Sequence, residues 1–217
     1  MPAKSEMTIL AHRGWWKRGE ERNDMTALMR AFEAGFGVET DFRDAGGNLV
    51  ISHDPPMGEL LAAETMLKAF AAAGRPGWLA VNIKADGLQR RVKGLMERFG
   101  VERYFVFDMS VPDMLGYLKE DMPTLTRQSE VEPTPVLLEK STGVWLDMFK
   151  SDWVTEPTMA GHLAAGKRVA LVSPELHKRK HLDFWARLKS WPCVHSEQFC
   201  LCTDFPKIAR TFFYAAD

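Results

Sequence analysis

The stretch AFEAGFGVETDFRDAGGNLVISHDP (31–55) holds the end of a helix, two strands and the turn between them. Just upstream, DMTALMRAFEAG (24–35) sets Met25, Leu28, Met29 and Phe32 at helical spacing and stops at Gly35. FGVETDF (36–42) and NLVIS (48–52) are short apolar runs of strand type, and DAGGN between them supplies turn residues. The same alternation runs in both directions along the chain. MTILA (7–11), WLAVNIK (78–84), YFVFD (104–108), PTLTR (123–127), GVWLD (143–147), RVALVS (168–173) and QFCLCT (198–203) read as strands. Residues 58–73, 86–100, 111–121, 155–166, 181–190 and 204–213 read as helices, the last with an Asp204 cap and a proline in its first turn. Strands separated by helices pair in parallel through right-handed crossovers. About eight such units predict an α/β fold, a single-domain (β/α)8 TIM barrel over residues 1–217. A doubly wound open sheet is the alternative, weakened because the chain has no GxGxxG and no Walker-type phosphate loop.

Composition narrows the class further. The chain has 217 residues, 46% hydrophobic and 26% charged, with a formal net charge of -1. That balance argues against a disordered or collagen-like chain. It also lacks the basic excess common in proteins that bind nucleic acid or anionic membranes. Three cysteines (Cys193, Cys200, Cys202) are too few and too clustered for a disulfide framework. Their one-residue gaps do not match structural zinc spacing, and Cys200 and Cys202 are expected to share a face of a buried strand. No apolar run reaches transmembrane length, and the N-terminal stretch lacks the apolar core of a signal peptide. A cytoplasmic protein without a nucleic-acid or membrane partner is the expectation; the oligomeric state is left open. The basic run HKRKH (177–181) reads as a solvated face.

In a barrel, chemistry collects at the C-terminal ends of the strands. His12 and Arg13 end the first strand. Glu39 and Asp41 lie two apart near the end of the second and so share a face. His53 and Asp54 follow the next extended run, and Asn82 and Lys84 close WLAVNIK with the same two-residue spacing. Asp108, Arg127, Asp147, Glu175 and Asp204 stand at later strand ends. Two neighbouring carboxylates suit a hard divalent cation. Two imidazoles suit acid–base work near neutral pH, and Arg13 and Lys84 offer positive charge to an anionic oxygen. The grouping points to cleavage of a phosphate ester. Each residue also has a plainer reading as a helix cap or an internal ion pair. Of Trp15 and Trp16, one is expected to pack and the other to wall a pocket.

ILAHRG (9–14) together with residues 31–55 resembles the glycerophosphodiester phosphodiesterase family, part of the wider group of phospholipase-C-like phosphodiesterase barrels. The matching pattern is HRG, a helix ending in AG, E-x-D, a glycine turn, an apolar strand and then HD. CLCTDFPKIA (200–209) is similar to the family's last strand and helix, with its TD-x-P. The resemblance implies a TIM barrel that hydrolyses a small-molecule phosphodiester with Mg²⁺ or Ca²⁺. Related sphingomyelinase D enzymes use a similar two-histidine, metal-assisted site. The resemblance further implies His12 and His53 as the acid–base pair, with His12 as base and His53 as acid. It implies Arg13 and Lys84 as phosphate contacts and Glu39 and Asp41 as metal ligands, with Asn82 at the third metal position. Arg127 and Glu175 are added as candidates for binding the substrate head group. Three departures stand out. Asn82 replaces the usual third-strand carboxylate, Arg22 in ERND (21–24) replaces a glutamate, and the excursion after His53 is short. They leave open an alternative, a barrel that binds a phosphate ester without hydrolysing it.

Overall fold

The computed structural model describes residues 7–214. These divide into two compact units: Ala11–Thr124, and residues up to Leu10 together with Leu125 onward. No helix among the described residues is long and apolar enough to cross a membrane.

The unit Ala11–Thr124 begins with the end of β1 (Thr8–His12) and continues through α1 (Met25–Glu33), β2 (Gly37–Ala45) and β3 (Asn48–Ile51). Then come β4 (Leu61–Ala62), α2 (Ala63–Ala72), β5 (Leu79–Ile83), α3 (Gln89–Arg98), β6 (Tyr104–Phe107) and α4 (Val111–Lys119). β2 neighbours β1 and pairs in parallel with β5, which pairs in parallel with β6. A parallel bridge from Val106 to Thr124 follows. β3 and β4 lie outside this parallel succession: β3 runs antiparallel to the far half of β2, and β4 antiparallel to β3. Asp24 caps α1 by accepting from the Thr26 amide, and the helix buries Ala27, Leu28, Ala31 and Phe32. That spacing of three and four residues makes one apolar face.

The second unit holds β7 (Leu125–Gln128), β8 (Gly143–Leu146), α5 (Glu156–Ala164), β9 (Arg168–Val172), α6 (Leu182–Lys189), β10 (Phe199–Thr203) and α7 (Pro206–Tyr214). Its strands run β10, β9, β8, β7, all parallel, with β1 next to β10. Cys200 and Cys202 are both fully buried on β10, and burial raises the Cys200 thiol pKa.

Several expected boundaries move. The helix expected over 58–73 starts at Ala63, because Leu61 and Ala62 pair with Ile51 and Val50 as β4 and Gly58 turns the chain at φ +74. The helix expected over 86–100 starts at Gln89, since Asp86 is held by the Ser110 hydroxyl in the preceding turn. NLVIS is an excursion on β2 rather than part of the parallel succession. Asp204 does not stand directly before α7. Its amide goes to Glu175, and Phe205 immediately precedes the helix. HKRKH is not a uniformly solvated face. Lys178 and Lys180 are exposed, whereas His177 pairs with Asp147, Arg179 pairs with Asp152, and His181 packs at a tilt against Trp185.

Candidate active site

The backbone around HRG is fixed by its close approach to α1. Gly14 sits at φ +87, and a Cβ there would lie 2.8 Å from the Ala27 carbonyl carbon and 2.9 Å from the Leu28 nitrogen. Only glycine fits that turn. Arg13 (φ 56) and Asn23 (φ 62) adopt the left-handed conformation without being glycine, a cost tolerated where surrounding bonds over-determine the chain. Those bonds are present. The Arg13 amide donates to the Glu39 carbonyl at 2.8 Å, and the Asn23 amide donates to the Arg13 carbonyl at 2.9 Å.

This scaffold brings a charged cluster together inside one unit. Glu39 and Asp41 are on β2 and are 2% and 0% exposed. Arg13 Nε lies 3.1 Å from Asp41 Oδ2, and Lys84 Nζ lies 3.6 Å from Asp41 Oδ1. Lys84 also pairs with Asp108 at 3.2 Å, where Asp108 follows β6 at φ 68. His12 Nε2 stands 3.9 Å from Glu39 Oε2. Asn82 is directly opposite Asp41 in the β2–β5 register and is itself buried. Burial and the neighbouring Asp41 charge push the Glu39 carboxyl up to about 7, against the opposing pull of His12, Arg13 and Lys84.

Asn23 is the member that sequence reasoning missed. Its Nδ2 donates to Asp41 Oδ2 at 2.8 Å and its Oδ1 accepts from Thr40 at 2.8 Å, so it fixes the carboxylate from outside β2. The available signal was an asparagine directly before a capped helix, the residue type best suited to a left-handed turn. Trp16 donates its indole N–H to the His12 carbonyl at 3.1 Å, with Arg22 over its ring at 4.3 Å. Trp15 packs edge-on against Phe36. Arg22 therefore adds its cation over an indole ring.

The other candidates have different surroundings. His53 lies two residues past β3 with a 42% exposed side chain and hydrogen-bonds Asp54 at 2.9 Å. Hydrogen bonding and charge from His53 lower the Asp54 carboxyl. Arg127 and Glu175 belong to the second unit. Arg127 pairs with Glu132. Glu175 accepts hydrogen bonds from the hydroxyls of Ser173 and Thr203 and from the Asp204 amide, with His181 at 3.8 Å.

Among the described residues, no group of three His, Cys, Asp or Glu is placed to hold a metal. Asn82 lies outside that set, and its buried Oδ1 has no hydrogen-bond partner; nor does the buried Asp41 Oδ1. Two buried oxygens without hydrogen bonds on facing residues, one of them ion-paired with Lys84 at 3.6 Å, beside a carboxyl raised by burial and its neighbour's charge, fit a hard oxygen-binding cation.

No family model and no curated protein matches the sequence. Solved structures do match. A glycerophosphodiester phosphodiesterase from Agrobacterium tumefaciens str. C58 superposes with a TM-score of 0.69 at 14% identity, covering 97% of this chain and 100% of that one. A glycerophosphoryl diester phosphodiesterase from Parabacteroides distasonis ATCC 8503 gives 0.66 at 11% identity, covering 98% and 87%. A Ca²⁺-dependent phosphatidylinositol-specific phospholipase C from Streptomyces antibioticus gives 0.59 at 10%, covering 97% of each chain. The chain has the glycerophosphodiester-phosphodiesterase type of (β/α)8 fold rather than a doubly wound sheet.

Proposed function

We propose that this protein hydrolyses a small-molecule phosphodiester at the Glu39–Asp41 cluster, with Mg²⁺ or Ca²⁺ as cofactor and residues 1–217 acting as one cytoplasmic domain. The observation that carries the reading is the buried carboxylate pair flanked by Arg13, Lys84 and His12. The activities of the structural neighbours, two phosphodiesterases and a phospholipase C, support it. Arg13 and Lys84 present positive charge to the non-bridging phosphoryl oxygens. Asn23 holds Asp41 in place. His12 takes the proton from the nucleophile, a water or a neighbouring substrate hydroxyl, and Glu39 beside it favours the imidazolium that results. A new P–O bond forms as the ester P–O bond breaks, and His53 gives a proton to the departing alkoxide. Glu39, Asp41 and Asn82 would hold the cation, which supplies charge neutralisation at the phosphoryl group.

Hydrolysis of bis(p-nitrophenyl) phosphate tests this reading. His12→Ala is expected to lower turnover by ~10²-fold or more, and His53→Ala by ~10-fold or more, with unchanged thermal melting. Full activity in His12→Ala rejects the assignment. The amide at Asn82 favours a second reading, in which the phosphodiester binds without product release. Ligand-dependent stabilisation with no p-nitrophenol formed would select it.

A further inference from the structure

Outside this cluster, the same unit holds a cavity of about 400 Å³ between α3 and the β2–β3 hairpin. Its floor is apolar, from Leu49, Ala62 and Leu95, and its wall carries Arg90, Arg91 and Arg98. Arg91, Leu95 and Arg98 recur at the spacing of one helix face. Gly94 leaves the gap between them: a Cβ there would meet nothing within 4 Å.

The arginines are held in place. Arg91 Nη1 donates to the Gly47 carbonyl at 2.8 Å, and Arg98 pairs with Glu64 at 2.8 Å. Arg90 Nε lies 3.6 Å from Glu120, so the three guanidinium groups face two carboxylates, Glu64 and Glu120, and Arg91 is held by a backbone carbonyl alone. A phosphomonoester carries about −1.5 to −2 at neutral pH, and guanidinium forks match phosphate oxygens bidentately. A fully polar anion would leave the apolar floor unused.

We propose that this cavity is a binding site for a phosphomonoester carrying a small apolar group, either as a free molecule or as the exposed head of a lipid. The site is separate from the hydrolytic cluster, and its existence does not depend on that reading.

The test uses the full chain with His12→Ala in place, so that hydrolysis plays no part. Phenyl phosphate is titrated calorimetrically, and phosphatidylcholine vesicles with and without phosphatidic acid are sedimented with the protein. At least one of the two probes is expected to bind, and which one does identifies the source. Arg91→Ala with Arg98→Ala should weaken that binding roughly tenfold or more. Both arginines are exposed, so their loss leaves the core intact. Gly94→Leu keeps every charge but fills the gap, and it should abolish binding as well. The proposal is overturned if neither probe binds, or if the double variant binds normally. It is also overturned if Gly94→Leu binds as the parent does, because the attraction would then be surface charge without a pocket. Binding lost on Arg13→Ala and retained in the double variant would likewise overturn it, by assigning the ligand to the hydrolytic cluster.

Discussion

Glu39 and Glu175 are both buried carboxylates, one within β2 and one just after β9, and their surroundings are opposite in kind. Glu175 is surrounded by dipoles that satisfy it: two hydroxyls and a backbone amide. One of those hydroxyls, Ser173, itself accepts from the Trp185 indole at 2.8 Å. Glu39 accepts from the Arg13 amide at 3.3 Å but shares its face with a second buried carboxylate, and burial together with that neighbouring charge raises its carboxyl to about 7. A satisfied buried charge is part of the structure. A buried carboxyl held beside a like charge, with cations and an imidazole around it, is poised for chemistry.

The comparison predicts opposite consequences for removing each charge. Asp41→Asn or Glu39→Gln should lower phosphodiester turnover by ~10²-fold or more. Melting temperature should stay level or rise in the Glu39 variant, because like-charge repulsion in a buried setting is relieved. Glu175→Ala should instead cost stability, about 2–4 kcal/mol in urea unfolding, since buried donors lose their shared acceptor. A Glu175→Ala protein as stable as the parent would erase the distinction.

The pH dependence of stability sharpens the contrast. A carboxyl raised in the folded state binds its proton more tightly there than in the unfolded chain. Stability should therefore fall as pH rises from about 4.5 through about 7. Melting curves across that window should show the slope in the parent and a shallower slope in Glu39→Gln. The smallest expected effect is at Arg22, whose guanidinium lies over Trp16. Arg22→Ala should change stability by ~0.5–1 kcal/mol. A much larger loss of activity would mean that Arg22 does more than cover the indole beside His12.

Much of this contrast was legible in the sequence on one side and hidden on the other. The two-residue spacing of Glu39 and Asp41, and of Asn82 and Lys84, is a strand property legible in sequence, whereas the parallel register that puts Asp41 opposite Asn82 is not. The glycine of HRG was visible, but its reason was not: the backbone of α1 passes within 2.8 Å of where a Cβ would be. Asn23 stayed hidden because its role rests on a left-handed turn that folds back onto β2, a contact between segments far apart in sequence. The end of the excursion after β3 was misread for a related reason. LLAAETML has helical composition throughout, yet pairing with β3 takes Leu61 and Ala62 out of the helix. Glu175 stands at a strand end like the other acids, and only its hydroxyl and amide partners set it apart.

Calorimetric titration of Mg²⁺ and Ca²⁺ into the parent protein and Glu39→Gln near neutral pH tests the central claim most directly. Relief of the Glu39–Asp41 conflict by a cation predicts a saturable site in the parent, with proton release seen as a buffer-dependent heat, and loss of both in Glu39→Gln. Equal heats in the two proteins, or no binding to the parent by either ion, would contradict it.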